Sequence, residues 1–312
     1  MLKADGLKKI FGDRLVIRDV SFETAEHGIY GFLGPNGAGK STTMNMITGY
    51  LAPDGGDVLV GGYSMIRDTA KAKRMIGFLP EQPPLYQDMT VGEYLRYIGE
   101  LKGIRRKLLT NEISRVLTRL DIKYVKNRLI RQLSKGYKQR VGLAQAILAD
   151  PPVIILDEPS SGLDPRQNSQ MRELVKELGK EHTVMLSTHV LSEITEICDC
   201  VMILSGGRIV ANDTPEELLK TENESQKLKL VLKGNASAAE RTLLKLKTVE
   251  SHRILAEDGE STTVEVVSFP GEDAREEISM ACISNDYVIL ELYRDKLTLE
   301  EVYLKLTQEA ED

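Results

Sequence analysis

Several things are scarce in this 312-residue chain, and each absence excludes something. No apolar run approaches the length needed to cross a bilayer, and Met1 opens no signal-peptide pattern. The expectation is a chain that does not span a membrane alone, though it can dock on a protein that does. Cysteine is sparse. Cys198, Cys200 and Cys282 make an odd count that fits a reducing compartment rather than a disulfide framework. Cys198 and Cys200 are spaced like half a metal site, but no Cys/His cluster lies near them, so they read as packing residues. An excess of positive charge is also missing. A net charge of −6 and a pI near 5.5 argue against nonspecific nucleic-acid binding and against a polybasic membrane anchor. There is no internal repeat and no run of heptads. With 41% hydrophobic and 28% charged residues, the composition is that of a soluble globular chain with room for two domains.

What is present begins with Gly34-Pro35-Asn36-Gly37-Ala38-Gly39-Lys40-Ser41-Thr42, which reads G-x-x-x-x-G-K-S. An apolar run from Ile29 to Leu33 leads in, and a helix-like run leads out from Lys40. This is the strand–loop–helix setting of a phosphate-binding loop. The glycines let the backbone turn its N–H groups toward phosphate oxygens, and the helix adds its positive end. Lys40 would reach the outer phosphates of a nucleoside triphosphate, and the Ser41 hydroxyl would ligate Mg²⁺. A second apolar run, Val153–Leu156, ends in Asp157-Glu158-Pro159. Acids at the C-terminal end of a buried strand sit where open α/β sheets bind ligands. Asp157 is placed to hold Mg²⁺, directly or through water, and Glu158 to polarise an attacking water. Further upstream, Leu133-Ser134-Lys135-Gly136-Tyr137-Lys138-Gln139-Arg140 precedes a helix-like stretch. Ser134 and Gly136 would present a hydroxyl and backbone N–H groups at a helix N-terminus.

The chain reads as an α/β domain over 1–220, a polar linker over 221–226 and a small α+β domain over 227–312. Short apolar runs alternating with helical ones predict a mostly parallel sheet flanked by helices in the first domain. A helix-rich insertion covers about 83–150, and Thr214, Pro215 and Glu217 mark a helix start. Beyond the linker, strand-like runs at Leu228–Leu232, Arg253–Ala256, Thr263–Val267 and Val288–Leu292 alternate with helical spacing at Ala239, Leu243 and Leu246 and at Ala274 and Ile278. The order βαββαβ suggests a ferredoxin-like domain, followed by a last helix bearing Leu299, Val302 and Leu306. Nothing in it looks like a catalytic cluster, which favours dimerisation or regulation.

Taken together, these motifs resemble the ATP-binding subunits of ABC transporters over about Met1 to Ala211. The resemblance rests on the phosphate loop, a loop glutamine in Pro80-Glu81-Gln82, a signature segment at Leu133–Gln139 and the Asp157-Glu158 pair. It also rests on a D-loop at Ser161-Gly162-Leu163-Asp164 and a switch histidine in Ser187-Thr188-His189. The signature departs from the usual L-S-G-G-Q: Lys135 replaces a glycine and Tyr137 the glutamine. The resemblance implies an ABC-type P-loop ATPase fold with ATP and Mg²⁺ as ligands. It implies catalytic roles for Glu158, His189, Gln82 and Lys40, and metal contacts from Ser41, Gln82 and Asp157. Nucleotide would be held by Gly34, Pro35, Asn36, Gly37, Ala38, Gly39, Lys40, Ser41 and Thr42. Ser134, Gly136 and Asp164 would also contact it, Ser134 and Gly136 from the signature of the facing subunit. Phe11 would stack on adenine, with plain core packing as its rival. His27, His182 and His252 lack such a context and read as surface or packing residues.

The implied partners are a second ATP-binding subunit and an integral membrane permease, with no direct nucleic acid and with the chain at the cytoplasmic face of the membrane. The Leu79–Tyr86 loop, the signature and the small second domain are reminiscent of export systems whose ATPase and permease are separate chains, nearest to the gliding-motility-associated and multidrug-type subgroups. The alternative is a soluble ABC ATPase acting on nucleic acid, the ribosome or iron–sulfur assembly.

Overall fold

The computed structural model describes residues 1–188, 190–219, 227–234, 240, 242–244, 246–294 and 298–309. The chain forms two compact units: Met1–Leu218 together with the segment from Leu299 onward, and Leu219–Thr298.

The first unit is built on a 10-stranded sheet. Its central strands Cys200–Ser205, Gly28–Leu33, Thr183–Ser187, Val153–Asp157 and Ile76–Leu79 are parallel neighbours in that order. Their near-continuous apolar runs are what burial on both faces requires. Val153 to Leu156 and Val184 to Leu186 are all buried. The expected parallel sheet is thus present but is only part of the whole. Leu2–Phe11, Arg14–Glu23, Gly55–Val60 and Tyr63–Ser64 form an antiparallel flank, with Phe11 facing Arg14 across a tight turn. Gly12 supplies the turn's positive φ of 58°, the residue type that two-residue hairpins select there. That hairpin carries Phe11 to the rim of the site.

The insertion between Leu79 and Val153 is helical, with helices Val91–Leu101, Arg106–Arg119 and Lys135–Ile147. Thr90 starts the first with a full capping box, accepting from the Glu93 N–H while the Glu93 carboxylate accepts from the Thr90 N–H. Ser134 caps the third. Thr214 accepts from the Glu217 N–H at 3.1 Å and starts Pro215–Leu219. The linker expected at 221–226 lies outside the described residues.

The second unit holds a 4-stranded antiparallel sheet in the order Val249–Glu257, Ser261–Ser268, Lys227–Lys233, Ile289–Arg294. Leu228, Leu230, Leu232, Val264 and Val266 point from one face into a core with Ala274 and with Ile278 and Cys282 of the helix Arg275–Ser284. Of the helix expected around Ala239, only Glu240, Thr242–Leu244 and Leu246 are described, and Leu243 is buried. The final helix, Leu299–Glu309, departs from the expected division. It packs with the first unit, near Cys200–Ser205, where the Ser205 hydroxyl donates to the Thr307 carbonyl at 3.4 Å. Its buried residues Leu299 and Val302 have the helical spacing seen in the sequence, but spacing alone does not say which core an amphipathic face will join.

Candidate functional site

The strand Gly28–Leu33 ends in the loop that leads to the helix Lys40–Ile47. Gly34 is held so close to its neighbour strand that a Cβ there would stand 2.4 Å from the Leu204 carbonyl oxygen. Gly39 has φ +107° and room for no side chain, since its Cβ would meet Ile17 Cδ1 at 2.3 Å. These two glycines set the curve of the loop and the direction of the helix. No side chain caps the first turn of that helix and no acid sits in it. Its amide donors and positive end are thereby left for an anion.

The loop lines a cleft of 690 Å³ with Phe11, Arg14, Val16, Asn36, Gly37, Gly39, Lys40, Ser41, Thr42, Glu81, Asp157 and Glu158. Lys40 folds back, donating to the carbonyls of Gly34 and Pro35. Burial pushes its ammonium down, and the nearby Glu158 and Asp157 carboxylates pull partly the other way. Phe11 stands 48% exposed at the rim, with the Lys9 ammonium 5.7 Å from its ring centre. It is not a core residue. Pro35 and Ala38 face an adjoining cleft of 460 Å³ that also touches Asn36, Arg14 and Arg18.

Asp157 and Glu158 emerge at the end of their strand, where the neighbouring strand contributes Ser187. The Ser187 hydroxyl donates to Asp157 Oδ1 at 2.5 Å, and the Glu158 N–H donates to both the Ser187 carbonyl and its hydroxyl at 3.1 Å. Glu158 is held at φ 49°, a left-handed conformation that costs a residue with a side chain about 1–3 kcal/mol and recurs at functional sites. Ser187 thus fixes both acids. It had been visible in the sequence only as the residue two before the switch histidine, with no role of its own. Arg14 and Glu81 were likewise unforeseen, because a hairpin and a loop from distant parts of the chain bring them in.

Gln82 is not among the residues lining this cleft. It lines a separate cavity of 500 Å³ with Asn45, Tyr50, Pro80, Pro84, Lys102, Gln145 and Asp157. Lys102 there donates to the carbonyls of Gln145, Ala146 and Leu148 at 2.8, 3.0 and 2.8 Å, closing the C-terminal end of the helix that Ser134 begins. Burial pushes its ammonium down to about 8.

Ser134, Gly136 and Asp164 are also outside the cleft lining. Ser134 accepts from the Tyr137 N–H at 3.5 Å. Asp164 caps the helix Pro165–Gly179 by accepting from the Gln167 N–H at 2.9 Å. Tyr137, in the place of the usual glutamine, shares a hydroxyl hydrogen bond with Tyr124, their rings edge-on at 5.9 Å. His189 lies outside the described residues. His182 is a packing residue, buried and bonded through Nδ1 to the Pro151 carbonyl at 2.8 Å. Cys198 and Cys282 are buried, and no group of metal-binding side chains in the described residues includes them.

The donor set fits a magnesium nucleotide. A glycine cradle closed to side chains would take the phosphates, and a serine hydroxyl with a carboxylate offers the hard oxygen ligands that Mg²⁺ prefers.

The chain is similar in sequence and fold to known proteins. The ABC transporter family model matches residues 17–161. The linearmycin resistance ATP-binding protein LnrL of Bacillus subtilis is 29% identical over 98% of both chains. The bacitracin transport ATP-binding protein BcrA of Bacillus licheniformis is 30% identical over 98% of this chain and 97% of its own. A solved structure of the ATP binding subunit of an ABC transporter superposes with a TM-score of 0.64, at 30% identity over 70% of this chain and 91% of that one. No helix among the described residues is long and apolar enough to cross a membrane. On a P-loop fold with a curled sheet and helical region, and with an end-to-end match to such relatives, the chain belongs to the ABC transporter ATP-binding subunits, a family that hydrolyses ATP.

Proposed function

We propose that two copies of this chain close around ATP and that the cycle of closing and reopening drives a separate membrane permease, for export. The observation that carries the reading is the division of the site. The phosphate loop, Asp157 and Glu158 share one cleft, while Ser134 and Gly136 stand at another helix N-terminus outside its lining. A second copy supplies what the first cleft lacks. ATP shifts the open–closed balance because it binds the closed pair better.

Within the cleft, the loop from Gly34 to Thr42 and the Lys40 ammonium bind the phosphates, Lys40 turning from its own carbonyls toward the nucleotide. Phe11 stacks on the base. Mg²⁺, when bound at Ser41 and Asp157, supplies neutralisation of charge on the outer phosphates. Glu158 accepts the proton of the attacking water, its position fixed by the Ser187 bonds to its N–H. His189 contacts the terminal phosphate. Gln82, in its own cavity beside Tyr50 and Lys102, reports contact with the permease to the Asp157 side of the site. Exposed Tyr50 and Tyr86 near that cavity give the permease an apolar footing. The chain would then sit at the cytoplasmic face through its permease. LnrL is named for linearmycin resistance and BcrA for bacitracin transport. Those names support a transported cargo over a nucleic-acid or ribosomal target.

The test is a pull-down from detergent-solubilised native membranes with tagged Glu158→Gln chain and ATP. A multi-spanning membrane protein recovered in stoichiometric amount is the expected result. Recovery of ribosomes or nucleic acid instead would overturn the transport reading and leave the ATPase chemistry intact.

A further inference from the structure

Lys135 is the first residue of the helix Lys135–Ile147, directly after its Ser134 cap. A cation there opposes the helix dipole, so something else must favour the side chain's position. Its far end lies along Gly162. A Cβ built on Gly162 would stand 2.1 Å from Lys135 Nζ and 3.2 Å from its Cε. Gly162 has φ +65° and no side chain, and Lys135 fills the niche that this leaves. The next residue, Gly136, rests on the far end of the same segment, since a Cβ there would come within 2.5 Å of Gln167 Oε1.

The turn that carries the first of these contacts starts at Glu158. The Ser161 N–H donates to the Glu158 carbonyl at 3.0 Å and the Leu163 N–H to the Ser160 carbonyl at 3.2 Å. The Ser161 hydroxyl adds a bond to Glu81 Oε1 at 3.4 Å. A short turn therefore runs from Glu158 to the residue that Lys135 covers. A glycine at 135 would leave the niche at Gly162 open.

We propose that Lys135 is a positioning residue that acts through Gly162. Its side chain holds the Ser160–Leu163 turn against the start of its own helix, so that a change at Ser134 is passed to Glu158 of the same chain. The contact itself stands on one chain. Its consequence for the cycle rests on the two-copy reading above: Ser134 would face one nucleotide and Glu158 the other, which makes Lys135 a link between the two sites.

Two measurements on the full chain test this. In hydrogen exchange, Lys135→Gly should speed exchange at the Ser161 and Leu163 amides by about fivefold or more. Lys135→Arg, long enough to reach Gly162, should restore it. Unchanged exchange at those amides in Lys135→Gly would overturn the proposal. In steady-state ATP hydrolysis, Lys135→Gly should lower the Hill coefficient toward about 1, with kcat held within about twofold. Lys135→Arg should restore the Hill coefficient as it restores the exchange, and a Hill coefficient left near 1 in Lys135→Arg would also overturn the proposal. Wild-type hydrolysis without cooperativity, alongside the expected exchange result, would remove the two-copy reading and leave the contact standing.

Discussion

Two helix N-termini in the first unit invite comparison. The helix Lys40–Ile47 begins on Gly39, carries no capping side chain and opens into a cleft with a lysine and two carboxylates. The helix Lys135–Ile147 begins under a Ser134 cap, with Lys135 and Gly136 laid against Gly162 and Gln167. Both are free of acidic residues in the first turn, so both can receive an anion. Only the first has reactive groups of its own chain around it. A helix end by itself binds; chemistry needs a base and a metal ligand held at the same place. On the proposed two-copy reading, the second end presents its donors to a nucleotide held by another molecule.

The largest expected effect breaks the first end alone. Glu158→Gln should keep ATP binding and slow hydrolysis by about 10²-fold or more, the size of a general-base contribution, as read in a steady-state ATPase assay. An unchanged rate would remove Glu158 from the role of base. Next comes Lys40→Ala, which should weaken ATP binding itself by about tenfold to a hundredfold in a titration, the range for a charge-assisted hydrogen bond. Ser187→Ala removes the hydroxyl that donates to Asp157 and accepts from the Glu158 N–H, leaving that N–H on the Ser187 backbone carbonyl and the phosphate loop untouched. It should lower kcat by about tenfold while the half-saturating ATP concentration stays within about twofold.

The last effect is on stability and concerns the far end of the second helix. Lys102 loses its proton near pH 8 in the folded chain and near 10.5 when unfolded. Between those values the unfolded chain binds more protons, so stability should rise with pH across that window, while below it the burial cost is present in full. Denaturant unfolding of Lys102→Met should lack that rise.

Much of the first end was legible in the sequence. Gly34, Gly39 and Lys40 form a contiguous pattern, and Asp157-Glu158 follows a run of apolar residues that only a buried strand explains. Contacts made by distant segments were not legible. Ser187 reaches Asp157 because two parallel strands lie side by side in register, and no spacing along the chain encodes that pairing. The antiparallel flank was hidden because Gly12-Asp13 is a short turn signal between strands with mixed charge patterns. The final helix shows the same limit, its apolar face being clear from Leu299 and Val302 but not the unit it packs on. In the second unit the strand positions were legible from alternation such as Leu228, Leu230 and Leu232, because one face of that sheet is buried.

The division of the site between two copies is tested most directly by molar mass in solution. Glu158→Gln chain should be a monomer without nucleotide and a dimer with ATP, measured by light scattering during size exclusion. Adding Ser134→Arg to that variant should leave ATP bound and the chain monomeric, because the presenting helix end is then blocked. A dimer that persists in the double variant, or a Glu158→Gln chain that stays monomeric with ATP bound, would contradict the account.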